Sequence, residues 1–142
     1  MINYSKDSDN IVTLTLDNPN RSANLINIAF GEKFREILSQ LQADTDIRGI
    51  IIASAKDTFM AGADIDELFA ENDAQLFFDR GQELKAGFRY LETQGKPVVA
   101  AMNGTALGGG FELCLAAHRR IAIDNPKTQI GLPEVTLGLL PG

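Results

Sequence analysis

The feature that most constrains the fold is a glycine-rich stretch late in the chain, Gly104 to Ala117. Three consecutive glycines, Gly108 to Gly110, run directly into a helix-forming segment. Glycine permits positive φ angles and close backbone approach, and the first N–H groups of a helix have no acceptor within it. The stretch therefore predicts a pocket lined by backbone N–H groups, with the carboxylate of Glu112 on the first helical turn beside it.

The composition is that of an ordinary globular domain. Of 142 residues, 44% are hydrophobic and 23% are charged, and the net charge is −6. This length corresponds to about one domain, so residues 1–142 are treated as one. The acidic balance and the lack of a Lys/Arg cluster exclude the usual nucleic-acid binders. Because the chain has neither a signal-peptide core nor a long apolar run, we expect a cytoplasmic protein without membrane insertion.

Strand-like and helix-like segments alternate along the chain. We predict strands at residues 11–16, 49–53, 97–102 and 120–123, and helices at about 26–42, 74–93 and from the triple glycine to about 117. Asn24 is a candidate cap for the first helix, Asn72 and Asp73 for the second, and Asp64 for a further short one. Phe77 falls on the predicted apolar face of the second. Strands separated by such helices define the α/β class.

Two common glycine motifs fail at specific positions. Gly104 and Gly109 have the spacing of a phosphate-binding P-loop, but Gly110 stands where its lysine is required. The dinucleotide-binding fingerprint requires a third glycine where Leu113 stands. The glycine-rich stretch is therefore not predicted to bind a nucleotide in either of these ways.

Metal and triad chemistry lack the residues they need. His118 is the single histidine and Cys114 the single cysteine, and neither has a partner at ligand spacing. A Ser-His-Asp triad would depend on His118 alone. The simpler prediction is that His118 interacts with the C-terminal dipole of the preceding helix.

Carbonyl polarisation assisted by acid–base groups remains. Backbone N–H groups at a glycine-lined helix start stabilise a developing oxyanion. The small residues of segment 61–65 offer a second set of such groups. Glu112 and Glu134 are the candidate acid–base residues, and Glu134 follows Pro133 among apolar neighbours, which suits a carboxyl to proton transfer. The residues alone leave a structural interpretation open, in which both glutamates only favour helix starts.

Taken together, segments 59–68, 103–115 and 130–142 resemble the three signature segments of the enoyl-CoA hydratase/isomerase (crotonase) family, in the same order. The likeness extends from about Ile11 to the last residue. It is strongest to the N-terminal part of the multifunctional fatty-acid oxidation α-subunits, which place a Pro-Lys-Thr run before Gly-x-Pro-Glu, as Pro126–Thr128 stands here. The spacing between Glu112 and Glu134 also suits that branch.

The resemblance implies a crotonase-like spiral of ββα units, of which this chain would be the N-terminal core portion, incomplete at the C-terminus. It implies hydration of a trans-2-enoyl-CoA to a 3-hydroxyacyl-CoA in fatty-acid β-oxidation. The thioester oxygen would lie between the N–H groups of Ala63 and Gly109. Glu112 would activate the attacking water, and Glu134 would deliver the α-proton.

The resemblance also implies where CoA lies. The CoA path would follow Ala61, Gly62, Asp64 and Ile65 and pass Gly108, with Asp64 a helix cap and not a reactant. Members of the family usually carry a basic residue, facing the CoA phosphates, at the position of Ser22. Because Arg21 is one residue removed from that position, no CoA contact is assigned to it.

Cofactors and partners follow from the same likeness. Hydration would need no cofactor and no metal, and NAD would be needed only if a 3-hydroxyacyl-CoA dehydrogenase part followed Gly142. Isomerase activity would be a side reaction. The full-length protein would form a homo-oligomer or a complex with a thiolase subunit, whereas the 142-residue chain alone would be weak or inactive and self-associating. The competing hypotheses are a non-catalytic acyl-CoA-binding or scaffold module and a bare fold fragment.

Overall fold

The computed structural model describes residues 1–142. The strands are β1 (Ile2–Lys6), β2 (Ile11–Leu16), β3 (Gly49–Ser54), β4 (Val98–Met102), β5 (Ala106–Leu107), β6 (Arg119–Ala122) and β7 (Ile130–Gly131). The α-helices are α1 (Ile28–Ala43), α2 (Ile65–Ala70), α3 (Ala74–Thr93) and α4 (Gly109–Leu115), and a 3-10 helix covers Glu134–Leu137. No helix combines the length and apolarity needed to span a bilayer.

Five strands form the main sheet in the order β1-β2-β3-β4-β6. The β1–β2 pair is antiparallel, and the other three pairs are parallel. Alternation in β2 buries Val12, Leu14 and Leu16, because every second side chain of a strand points to the same face. The register places Val12 beside Ile50 of β3. The predicted α/β class is confirmed.

A second set of short parallel pairings runs beside the main sheet. Ile26 pairs with Ala63, Met60 pairs with Ala106, and Ala106 pairs in turn with Ile130. Each of these residues follows a long strand and precedes a helix, so the chain repeats the order long strand, short strand, helix. This repeat is the ββα spiral that the resemblance implies.

The core lies between the main sheet and the helices. Phe30 and Phe34 of α1, Leu14 of β2, Ile52 of β3 and Leu113 of α4 line one small internal cavity of about 10 Å³. The helical face predicted by the spacing of the apolar residues in α1 is therefore the buried one. Helix α4, which carries the candidate residue Glu112, is therefore held by the same core as the sheet.

Helix α3 packs on α1 through its second half. The rings of Phe34 and Phe88 meet edge to face at 5.8 Å, and a Cβ on Gly87 would lie 2.6 Å from Phe34 Cε1. The observed bounds, Ala74–Thr93, agree with the prediction, and Asp73 caps the helix by accepting hydrogen bonds from the first-turn N–H groups. Phe77 is 50% exposed, so its predicted burial is wrong. The first turns of α3 extend beyond the helix–helix contact.

Asn24 does not cap α1. The helix begins two residues later than predicted, at Ile28, and Asn27 caps it by accepting a hydrogen bond from the Phe30 N–H at 2.9 Å. Asn24 is instead 1% exposed. Its side chain accepts from the Asn18 N–H and donates to Leu16 O, Ser54 Oγ and Phe59 O. A tertiary network therefore uses the side chain that the local sequence assigns to a cap.

Candidate active site

The two glycine-containing stretches lie against each other. Gly62 and Gly108 both adopt positive φ angles, 94° and 53°. A Cβ added to Gly108 would lie 3.8 Å from the Gly62 Cα, and one added to Gly62 would lie 3.2 Å from the Leu107 oxygen. Because both turns need glycine conformations and leave no room for side chains, two stretches far apart in sequence form one backbone-lined surface.

The N–H of Ala63 points away from its bridge partner. The Ile26 N–H donates to Gly62 O, and the Asp64 N–H donates to Ile26 O, each at 2.8 Å. In a parallel bridge, when the residues on either side of Ala63 make these bonds, its own N–H faces the opposite side. The Ala63 N–H makes no hydrogen bond within the chain. It is available to an external acceptor.

The N–H of Gly109 is available for a different reason. Gly109 is the first residue of α4, and the first N–H groups of a helix have no helical carbonyl to reach. Gly108 secures the turn on both sides: its N–H donates to Gly131 O, and its carbonyl accepts from the Phe111 and Glu112 N–H groups. Ala63 and Gly109 therefore present unused donors on adjoining turns.

Both candidate carboxylates reach the Gly108–Gly109 turn. Glu134 Oε1 lies 2.9 Å from the position of a Cβ on Gly108, and Glu112 Oε2 lies 3.6 Å from that of a Cβ on Gly109. Pairing of β7 with β5 brings the Glu134 segment alongside this turn. Glu134 Oε2 is buried and makes no hydrogen bond. A buried carboxylate oxygen without a partner is costly unless it serves a ligand or a proton.

Gly142 contributes a contact that the sequence reasoning missed. Its N–H donates to Glu112 Oε1 at 2.6 Å. This bond holds Oε1 at the Gly142 N–H, whereas Oε2 lies near Gly109. The only signal in the sequence was that Pro141-Gly142 lies in the third signature segment, residues 130–142. Nothing in the sequence specifies which amide would meet Glu112.

Asp64 occupies the N-cap position of α2, but its side chain makes no capping hydrogen bond. The carboxylate, 4% exposed, instead pairs with Arg21, whose Nη2 lies 3.1 Å from Asp64 Oδ2. The predicted capping role of the side chain is therefore wrong, because the guanidinium takes up the carboxylate. Among the other predicted CoA-path residues, Gly62 and Gly108 are buried, and Ala61 and Ile65 are exposed.

His118 also differs from its prediction. It lies beyond the end of α4, and its Nδ1 accepts a hydrogen bond from the Val98 N–H at 3.0 Å. This bond satisfies the first N–H of β4, so the imidazole meets a strand start and not a helix dipole. His118 makes no hydrogen bond to Glu112 or Glu134, and no three His, Cys, Asp or Glu side chains converge on a metal-sized site.

Cys114 lies in α4, one helical turn after Gly110. Its thiol is buried and donates to Gly110 O at 3.2 Å. Burial raises the pKa of the Cys114 thiol to about 12. A Cβ on Gly110 would lie 2.5 Å from Met60 O, so this face of α4 packs directly on the Met60 segment. Cys114 and Gly110 position the helix.

A cleft of about 340 Å³ opens beside Glu112. It lies between α3, α4 and the C-terminal segment, and its volume is within the range of small-molecule sites. The apolar part of its lining includes Phe88, Leu115 and Leu132, and charged residues of α3 line the rest: Lys85, Arg89 and Glu92.

The sequence and the fold identify the family to which the chain belongs. Residues 6–142 match the sequence model of the family described as enoyl-CoA hydratase/isomerase, and the chain belongs to this family. It is 45% identical over 141 residues to a fatty acid oxidation complex subunit alpha from Shewanella halifaxensis and 48% identical over 136 residues to one from Shewanella loihica. These alignments cover 99% and 93% of the chain, but the chain spans only about a fifth of each relative.

Solved structures agree on the fold. An enoyl-CoA hydratase from Bacillus anthracis superposes with a TM-score of 0.86 at 33% identity, over 99% of this chain and 54% of that one. An enoyl-CoA hydratase from Shewanella pealeana superposes with a TM-score of 0.88 at 22% identity, over 99% of this chain and 52% of that one. The chain therefore has the crotonase fold over about half of the length of these enzymes.

Proposed function

We propose that the protein hydrates trans-2-enoyl-CoA thioesters to 3-hydroxyacyl-CoA thioesters in fatty-acid oxidation. One observation carries the proposal: unused N–H groups of Ala63 and Gly109 lie on adjoining turns, and the carboxylates of Glu112 and Glu134 meet one of those turns. The family and the similarity to fatty acid oxidation complex α subunits support the substrate class.

The two N–H groups would hold the thioester oxygen. Conjugation carries negative charge onto this oxygen when a nucleophile attacks the β-carbon, so an enolate-like state develops. Donors aimed at that charge stabilise the transition state more than the substrate, which is the condition for faster chemistry. The tight positive-φ turns at Gly62 and Gly108 fix both donors before substrate arrives.

The two carboxylates would complete the addition of water. Glu112 accepts a proton from water while the water oxygen bonds to the β-carbon, and Glu134 donates a proton to the α-carbon. One water is added overall, and proton exchange returns both carboxyls to their starting states. The hydrogen bond from Gly142 holds Glu112 Oε1, and Glu134 Oε2 has no hydrogen-bond partner within the chain. Both features suit these roles.

The remaining contacts would place the substrate. CoA would run along Ala61 to Ile65 past Gly108, and the acyl chain would enter the cleft lined by Phe88, Leu115 and Leu132. Hydration on this route uses no metal and no cofactor beyond the CoA of the substrate. Assembly into a complex with a thiolase subunit is part of the proposal, because the curated relatives carry the name of a complex subunit.

The test is hydration of crotonyl-CoA by the protein expressed from its complete reading frame. Glu112→Gln and Glu134→Gln should each lower kcat by about 100-fold or more, which is the usual contribution of a positioned acid–base group. Glu32→Gln is the matched control, because Glu32 is an exposed glutamate of α1 outside every ion pair. Tight acetoacetyl-CoA binding without any hydration would refute the proposal and favour a non-catalytic binding module.

A further inference from the structure

A buried negative charge lies immediately next to one of the proposed oxyanion donors. Asp64 follows Ala63 in the chain, and its side chain is 4% exposed. Arg21 is its only hydrogen-bond partner, at 3.1 Å. Since the carboxylate caps no helix, local secondary structure does not explain its burial.

The backbone keeps this carboxylate in place. The Asp64 N–H donates to Ile26 O at 2.8 Å, and the Asp64 carbonyl accepts from the Leu68 N–H at 3.0 Å. These two bonds hold the residue between the segment that carries Ile26 and the helix α2. The backbone of Asp64 is therefore fixed directly after Ala63, and the bond from Arg21 orients its carboxylate.

An unpaired carboxylate at this position would oppose the reaction. A developing oxyanion bonded to the Ala63 N–H would lie on the order of 8 Å from the carboxylate, because one Cα–Cα step of about 3.8 Å, the aspartate side chain and the N–H···O separation lie between them. At an effective dielectric constant of about 20, that repulsion corresponds to roughly a 30-fold loss in binding of the oxyanion. The guanidinium of Arg21 supplies the opposite charge.

We infer that Arg21 is a positioning residue that acts on the oxyanion hole through Asp64. It neutralises the buried carboxylate, so that the donors at Ala63 and Gly109 meet a developing negative charge in an environment without net repulsion. This inference rests on the proposed function, and it gives Arg21 a task other than contact with CoA phosphates. A guanidinium that left Asp64 for a phosphate would uncover the buried charge beside the hole.

The two tasks differ in which ligands respond to loss of Arg21. Acetoacetyl-CoA ionises to an enolate that resembles the reacting state, whereas butyryl-CoA has the same CoA part and does not. Neutralisation through Asp64 affects only the enolate, and a phosphate contact affects both thioesters equally. The ratio of the two dissociation constants therefore separates the tasks without any measurement of turnover.

The experiment measures both dissociation constants for the protein expressed from its complete reading frame, in four variants: Arg21→Met, Asp64→Asn, the double variant, and Arg48→Met. Arg48 is an exposed arginine outside every ion pair, so its variant is the matched control. Arg21→Met should weaken acetoacetyl-CoA binding about 10- to 30-fold relative to butyryl-CoA. Adding Asp64→Asn should restore the ratio to within threefold of the wild type.

Three results would overturn the inference. They are equal weakening of both ligands in Arg21→Met, an unchanged ratio in that variant, and a double variant that fails to restore the ratio. If Arg21→Met does not fold because Asp64 is left unpaired, Asp64→Asn alone decides: it leaves the charge of Arg21 without its partner, so the preference for the enolate should rise above the wild-type ratio, and an unchanged ratio would overturn the inference. Wild-type protein that binds both thioesters but hydrates no enoyl-CoA would refute the proposed function and leave this test intact.

Discussion

Gly108 offers the sharpest perturbation of the candidate site, because one added methyl group meets a candidate catalytic carboxylate. At φ 53° and ψ −132° the residue adopts a conformation that non-glycine residues rarely take. In Gly108→Ala the new Cβ would also lie 2.9 Å from Glu134 Oε1. The substitution therefore strains the turn and displaces the carboxylate together.

The two effects have separate magnitudes. Backbone strain of this kind costs about 1–3 kcal/mol. Ordinary contact with a Cβ begins at 3.4 Å, so Glu134 Oε1 must retreat by about 0.5 Å. Misplacement by about 1 Å can cost 100-fold in rate, which makes a fall in kcat of at least about 10-fold the expected result for half that displacement.

Gly95→Ala is the matched control. Gly95 also has a positive φ, 89°, but an added Cβ would meet nothing within 4 Å. We expect the free energy of unfolding of this variant to fall by about 1–2 kcal/mol because of backbone strain, and its kcat to stay unchanged. The assay is crotonyl-CoA hydration together with the free energy of unfolding in urea. A Gly108→Ala protein that unfolds like the control and retains kcat within twofold of the wild type would show that Glu134 does not depend on the space beside Gly108.

Three further predictions concern the scaffold. Asn24→Ala should lower the free energy of unfolding by about 3 kcal/mol, because it leaves buried polar groups unpaired; a loss below 1 kcal/mol in urea titration would contradict this. The hydrogen bond from Lys6 lowers the pKa of Asp44 below its ordinary 3.8, so Asp44 stabilises the fold above that pH, and the stabilisation is lost as pH falls through the lowered pKa. Asp44→Asn should therefore flatten the loss of stability below about pH 4, and an unchanged acid limb would be the contrary result. Since burial raises the pKa of Cys114 to about 12, a thiol reagent at pH 8 should label it only after unfolding, and rapid labelling of the native protein would count against the packing described.

Local sequence signals predicted the elements whose ends are set locally. The bounds of α3 were correct because Asp73 caps the first turn and the apolar spacing runs the whole length. The strands β2, β3 and β4 were predicted within a residue, since each is a compact apolar or alternating run. The triple glycine at the start of α4 likewise placed Glu112 on its first turn.

Elements defined by distant partners were not predictable in this way. The strand β1 was missed because Ile2–Lys6 has no clear alternation and exists through antiparallel pairing with β2. The strands β5 and β7 have two residues each and are recognised only by their pairing with each other.

The candidate site shows the same division. The glycine turns and both glutamates were visible as local motifs, and their proximity follows from the crotonase fold. The pairing of Arg21 with Asp64 joins residues 43 positions apart, and the bond from Gly142 to Glu112 joins residues 30 positions apart. Spacing along the chain carries no information on which distant group a side chain contacts, so both contacts were found only in the structure.

The most direct test of the central claim follows the atoms of water into the product. Crotonyl-CoA is incubated in deuterated water enriched in heavy oxygen with the protein expressed from its complete reading frame, and the product is analysed by mass spectrometry. The proposed mechanism predicts 3-hydroxybutyryl-CoA with one heavy oxygen on the β-carbon and one deuterium on the α-carbon, formed by the wild type and almost absent with Glu112→Gln. Unlabelled crotonyl-CoA recovered intact from the wild type, or equal labelling by the Glu112→Gln variant, would contradict it.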